Sequence, residues 1–315
     1  LVEVQCANCF LVIAQTATIC SQPTVTINSQ ADAALYTDCP TIKGDVLIGP
    51  SAQADISLDG PLQITGDLTC LNAGGLTSLG SATLGSISGQ INLQNLTTLS
   101  TLQFSDLTSV GSINFIALPA LSEFTFTSTI SKAASVVISN TFLSTLDGIN
   151  LATANTIEIN NNDYLREFST QVANITTSID INSNGNALVV SFPNLIWAGN
   201  MTIKNTSSVS IPSLHVVNGS LGLYGNGFAS ISAPNLTAIG NTATNAGGLA
   251  IVGNSALTNF SFPVLADVGG GAQVANNTGL SDIDFPALSI VGGAIDFTGN
   301  FSSYVFQSRR CNMKN

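Results

Sequence analysis

The chain has 315 residues, 44% of them hydrophobic and only 8% charged, and its seven Lys and Arg against eighteen Asp and Glu give a net charge of -11. An ordinary soluble domain is about 25% charged, so the polar surface here must be built from Ser, Thr, Asn and Gln. The acidic balance excludes nucleic acid as a partner, because a phosphate backbone needs a cationic patch, and the single histidine, His215, argues against His-based metal sites and His-dependent acid-base chemistry.

In chain order, the first feature is the apolar run Cys9-Phe10-Leu11-Val12-Ile13-Ala14 ahead of small residues, and residues 1–19 read as the remnant of a secretory signal peptide. Mean hydropathy is +0.39, yet the apolar residues fall in short alternating clusters such as Ile91-Asn92-Leu93 rather than in a membrane-spanning run. Cys6-x-x-Cys9 lies inside the signal-like segment and lacks the second pair that a zinc site requires. Residues 20–45 read as an N-terminal cap closed by a Cys20–Cys39 disulfide, a local staple of about 3 kcal/mol by loop-closure arithmetic. Cys70 stands where a polar turn residue is expected, and its pairing and that of Cys311 stay open.

Residues 46–303 read as repeats. The unit is clearest at Pro193, Pro212, Pro234, Pro263 and Pro286, where an apolar residue, Pro, any residue and Leu lead through Val-Gly into a short alternating strand that ends in Asn. Earlier units carry Leu-Thr instead, at Leu76, Leu96 and Leu107, and the segment Asn241–Asn245 reads as an insertion. The alternation puts one face of each strand toward a core. Pro belongs at a turn or strand start, and Gly permits the corner. Asn205, Asn226, Asn254, Asn277 and Asn300 are placed to adopt left-handed backbone and to form an internal amide ladder between coils. No segment has sustained 3.6-residue periodicity. So short a unit cannot bury its own face, so its neighbours must supply the core. The fold class is therefore all-β, a right-handed parallel β-solenoid related in logic to leucine-rich repeats, with little helix. Residues 304–315 read as an irregular, truncated C-terminus.

Nine Asn-x-Ser/Thr sequons support export: Asn95, Asn174, Asn200, Asn205, Asn218, Asn235, Asn259, Asn276 and Asn300. Asn276 and Asn300 coincide with the Asn end of the repeat, which predicts their burial and lower glycan occupancy. For chemistry, the acid pairs Asp282 with Asp284, Asp55 with Asp59, and Glu158 with Asp163 are the candidates, since glycoside hydrolysis uses two carboxylates. A lyase would need cationic groups that the repeats hardly provide, and no catalytic, metal or cofactor-binding residue is assigned. Trp197, with Tyr224 one coil later, is a candidate for stacking a sugar ring. His215 reads as a repeat-turn residue.

The run Cys20-Ser21-Gln22, Thr26-Ile27-Asn28-Ser29-Gln30-Ala31-Asp32-Ala33, Cys39 and Gly44-Asp45-Val46-Leu47-Ile48, followed by these repeats, resembles the fungal GPI-anchored cell-wall organisation proteins that carry receptor L-domain-like repeats. The stretches Ser139–Leu151 and Pro193–Ala198 add to the resemblance, which covers roughly residues 20–303. It implies a secreted, N-glycosylated, non-enzymatic surface protein that supports wall organisation and integrity. It also implies membrane contact only through a GPI anchor, no cofactor, and wall polysaccharide or other wall proteins as partners. The rival classes are a β-helix lyase or glycosidase, and a receptor-like adhesion module that binds carbohydrate or protein.

Overall fold

A computed structural model describes residues 19–306. The signal-like segment up to residue 18, Cys6, Cys9, Cys311 and the residues from 307 onward lie outside the described residues. Of the described residues 49% lie in strands and 2% in helix, in parallel stacked coils that form a β-solenoid. Its contacts group into two compact units, one up to Ala133 and one from Ala134.

In the first unit each coil has three sides. The longest side stacks Thr24–Ile27, Asp45–Ile48, Leu68–Leu71, Ser86–Gln94 and Ser109–Leu118, every neighbour parallel. Period-2 alternation turns two columns of side chains inward: Val25, Val46, Leu68, Ile91, Ile113, and Ile27, Ile48, Cys70, Leu93, Phe115, all buried. Cys70 is thus a core residue between Ile48 and Leu93 and not a turn residue, and it is a free thiol. Its alternating neighbours Leu68 and Thr69 carry that signal in the sequence. A short second side begins with Thr41–Ile42 and Gln63–Ile64, and a third runs through Gln53–Ser57, Gly75–Ser81, Thr101–Phe104 and Thr125–Phe126.

The cap is built onto the first coil, so the sequence-based boundary at residue 45 cuts through paired strands: Thr24–Ile27 is already a rung. After it comes a helix, α1 (Gln30–Ala34), whose N-cap Ser29 accepts from the Asp32 N–H. Asp32 in turn accepts from the Asn28 N–H at 2.9 Å and the Ser29 hydroxyl at 3.0 Å, a reciprocal cap. Those bonds hold its carboxyl below the usual range. Ala33 and Tyr36 are buried, and the Cys20–Cys39 disulfide closes the cap.

In the second unit the same three sides recur. The inward columns of the long side run Ile157, Ile179, Met201, Leu221, Leu249, Ala272 and Ile159, Ile181, Ile203, Leu223, Ile251, Val274. All twelve are buried, and burying each Ile, Leu, Val or Met contributes about 1.5–3 kcal/mol relative to exposure. The Pro-x-Leu signature is a β-turn: the N–H groups of Leu195, Leu214, Leu236, Leu265 and Leu288 donate to the carbonyls three residues earlier at 3.2–3.4 Å. Pro sits at the second turn position, where its fixed φ is an advantage and its missing N–H costs nothing, and Leu drops into the core. The Leu-Thr segments are not all equivalents of this turn. Leu76 and Leu99 close a different one, donating to Ala73 and Leu96, and only Leu107 precedes the short side as Leu214 does. Leu is the buried residue of both turns, which is why sequence alone merges them.

The asparagine end of the repeat also resolves into two consecutive positions. Asn161, Ser183, Asn205, Gly225, Gly253 and Asn276 have φ between 54° and 70° and end the long strand. The residue after each is buried: Asn162, Asn184, Thr206, Asn226, Asn254 and Asn277. Asn205 therefore belongs to the first position, with Thr206 in the ladder, and Asn300 is exposed. The Asn254 Oδ1 accepts from the Asn226 N–H at 2.8 Å and its Nδ2 at 3.0 Å, while the Asn254 Nδ2 donates to the Leu223 carbonyl at 3.0 Å. Asn277 accepts in the same way from Asn254, and Asn184 from Asn162. Among the described residues no buried side-chain polar atom lacks a partner. In the first unit the equivalent positions are Ala73, Leu96 and Leu118, all buried, so the ladder replaces an apolar column.

The insertion is as expected from sequence. Residues 241–246 form an exposed loop held by an Asn241–Ala246 bridge. The loop leaves and re-enters the coil through Gly240 and Gly247, with φ of 74° and 77°, a backbone conformation that L side chains seldom adopt.

Candidate functional surfaces

With the core filled, function must reside on outward positions. On the long side of the second unit, one outward column passes through Glu158, Asp180, Thr202, Gly222, Ala250, Gln273 and Asp296, and the next passes through Lys204, Tyr224 and Val252. Tyr224 folds back over Gly222: a Cβ on that glycine would collide with the ring, lying 3.0 Å from its Cζ and hydroxyl. Lys204, from the preceding coil, places its Nζ 5.3 Å from the ring centroid, within reach of a cation–π attraction. On the following coils a shallow depression of about 350 Å³ opens, lined by Tyr224, Ala250, Gly271, Gln273 and Asp296 among others. The Gln273 Nε2 donates to the Asp296 carboxylate at 2.9 Å.

Trp197 does not join this surface. It pairs with Asn174 and Val216 on the short side, whereas Tyr224 pairs with Lys204 on the long side, so the two aromatic residues do not share a column. Sequence reasoning missed another pair: Phe142 and Tyr164, both more than 40% exposed, meet at 4.0 Å between centroids with their planes tilted by 32°. They follow Thr141 and Asn162, which are joined through the ladder, and that coil-to-coil correspondence is the signal that pairs them.

The acid pairs are placed as follows. Asp282 and Asp284 flank buried Ile283 and both face outward; Asp282 accepts from the Ser281 hydroxyl. Asp55 and Asp59 line one depression of about 250 Å³ in the first unit, together with Ser57, Gly80 and Gln103. Bonds from the Ser57 hydroxyl at 2.7 Å and the Ala82 N–H at 2.6 Å hold the Asp59 carboxyl below its usual range, an ionised state unsuited to donating a proton. Glu158 faces Asp180 across the coils and accepts from the Asn160 amide at 2.8 Å, while Asp163 lies in the following turn. His215 is exposed, and its backbone joins the turns above and below. Among the described residues, no group of three or more His, Cys, Asp or Glu is arranged to hold a metal, and no helix is long and apolar enough to cross a membrane.

All nine sequon asparagines are exposed. This corrects the expected burial of Asn276: the buried ladder residue is Asn277, one position further on, while Asn300, in register with Asn277 two residues past the Ala275–Thr298 pair, is exposed among the described residues. Asn95, Asn205 and Asn276 occupy the left-handed position past the strand end. Asn200 lies at the corner, where its Oδ1 accepts from the Ser220 N–H. None of the nine falls in the outward columns around Tyr224.

Comparison with known proteins adds relatives for most of the chain. It is 45% identical over 279 residues to protein Ecm33 of Aspergillus fumigatus, covering 88% of this chain and 68% of that protein. It is 42% identical over 286 residues to a cell surface GPI-anchored protein of Arthroderma benhamiae, covering 90% and 72%. It is 38% identical over 215 residues to the cell wall mannoprotein Pst1 of Saccharomyces cerevisiae, covering 68% and 48%. No protein-family profile and no solved structure matches the chain.

Proposed function

This chain belongs to the Ecm33 family of fungal cell-wall and cell-surface proteins, and from that premise we propose that it is a secreted, N-glycosylated, non-enzymatic protein of the cell surface. It is held to the membrane and wall through a GPI anchor and supports wall organisation. The observation that carries this reading is identity of 42–45% along about nine-tenths of the chain to proteins with those names. The repeats supply the physical logic. Within each unit the stacked coils offer regular outward faces, and in the second unit the buried amides are joined in a hydrogen-bonded ladder rather than gathered in a water-excluding cleft, as suits a support or attachment element.

The experiment is fractionation of an epitope-tagged protein in the organism that encodes it. The tag is expected in the membrane and wall fractions, released by phosphatidylinositol-specific phospholipase or by wall-digesting glucanase, and deletion of the gene is expected to sensitise cells to wall-binding dyes. A tag found wholly in cytosol, or purified protein that releases reducing ends from glucan or chitin, would overturn the reading.

Glycans on the sequons supply the hydration that so few charges cannot. Asn276 is exposed like Asn95 and Asn235, so peptide mapping of the secreted protein is expected to find it occupied to the same degree as those two. Bare asparagine at all nine would remove the glycan account of solubility.

A further inference from the structure

We propose that the depression beside Tyr224 is a binding subsite for a neutral hexose unit of a polysaccharide chain. Four observations carry it. First, the Tyr224 ring is a wall with two different sides: Lys204 of the preceding coil lies over it at 5.3 Å, and the depression of about 350 Å³ opens on the following coils. An aromatic ring beside an open hollow suits the C–H face of a pyranose ring. Second, the floor is low, with Gly248 and Ala294 among its residues. Gly271 and Ala250 line it, and Gly222 makes room for the tyrosine itself. Third, the far end holds an amide and a carboxylate, Gln273 and Asp296, fixed against each other at 2.9 Å. Together they offer the donors and acceptors that vicinal hydroxyls need.

The fourth observation is charge, and it selects among sugars. The lining carries one carboxylate, Asp296, on a chain of net charge -11. Lys204 beside the ring offsets that carboxylate, so the subsite offers no net positive charge to pair with a uronate or phosphate, whereas a neutral hexose needs none. The outward columns repeat at each coil, about 4.8 Å apart, close to the advance of one sugar unit in an extended chain, so a polymer laid along the stack meets equivalent rows in step. The absence of sequons from these columns leaves the face open while glycans crowd its edges.

The inference rests on the wall-protein reading for the choice of polymer, and its test is separate. Glycan-trimmed protein is titrated with hexasaccharides of β-1,3-glucan, of chitin and of α-mannan, and with an oligogalacturonate, by calorimetry and tyrosine fluorescence. One neutral hexasaccharide is expected to bind saturably, with a dissociation constant in roughly the millimolar range for a single subsite. Tyr224→Ala is expected to weaken it about tenfold or more, Gln273→Ala severalfold, and Trp197→Ala and Tyr164→Ala not at all. Gln273 is exposed, so its variant keeps the test valid if Tyr224→Ala misfolds. No saturable binding of any neutral oligosaccharide, binding that survives in Tyr224→Ala, loss in Tyr164→Ala instead, or equal binding of oligogalacturonate each overturns the proposal. None of these results bears on where the tagged protein fractionates, so the two readings fail separately.

Discussion

Replacing Asn254 with alanine is expected to destabilise the protein by about 3–5 kcal/mol. The Asn254 side chain accepts from the Asn226 N–H and donates to the Leu223 carbonyl, so truncation leaves a buried backbone donor and a buried backbone acceptor without that partner. Each such group costs about 1–3 kcal/mol, and the cavity adds to the sum. Asn226 and Asn277 are themselves buried, so water has no easy route to repair the gap. The exposed loop residue Asn241 is the control; its alanine variant is expected to stay within about 0.5 kcal/mol of wild type. Urea unfolding reads both. In a stack whose stability is a sum of neighbour terms, the Asn254 transition is also expected to broaden as coils on either side of the gap unfold separately. A shift below about 1 kcal/mol would mean that the ladder is replaceable by a methyl group and water.

The second large effect concerns the cap. Replacing both Cys20 and Cys39 with serine is expected to remove about 3 kcal/mol and to lower the melting temperature by roughly 5–10 °C. The cross-link holds α1 and Tyr36 at the end of the stack, where Val25 and Ile27 begin the two inward columns of the long side. Loss of the cap uncovers these columns, and terminal repeats without a polar cover associate. Light scattering of the double variant is therefore expected to rise well below its melting temperature. Reductant acting on the wild type should reproduce the shift. Cys70 does not confuse the comparison, because burial pushes its thiol up to about 12, and a protonated, inaccessible thiol does not enter disulfide exchange. A double variant that melts with the wild type and stays monodisperse would show that packing of Ala33 and Tyr36 alone secures the cap.

Much of the coil is legible in the sequence because its residues have few alternatives. Pro193, Pro212, Pro234, Pro263 and Pro286 can only stand at turns, and the Leu two places on must be buried to end each turn in the core. The alternation Leu221-Gly222-Leu223 admits only a strand. The asparagines are less legible because one residue type performs two tasks: Asn276 supplies left-handed backbone and Asn277 the buried amide. At Gly225-Asn226 and Asn205-Thr206 the tasks are divided differently, so no single consensus isolates them. The places of Trp197 and Tyr224 follow from the repeat, since Trp197 stands four residues after Pro193, before the corner, and Tyr224 twelve after Pro212, beyond it; register across the corner is less legible. Asn218 has no counterpart between Ala198 and Gly199, so the corners of adjacent coils differ by one residue. A displacement of one position in a strand exchanges the inward and outward faces. Phe142 and Tyr164 meet only because the ladder aligns their turns, a correspondence that no local pattern records.

Parallel pairing has a mechanical side. Within each unit the backbone bonds between rungs, and the amide bonds of the ladder with them, point along the stacking direction, so tension in that direction loads one rung's bonds before the next instead of all together. A coil of 22 residues that peels away releases roughly 75 Å of chain, where it had added about 4.8 Å to the stack. Each unit is in this sense a spool: it is short at rest, and it yields length coil by coil when its ends are drawn apart.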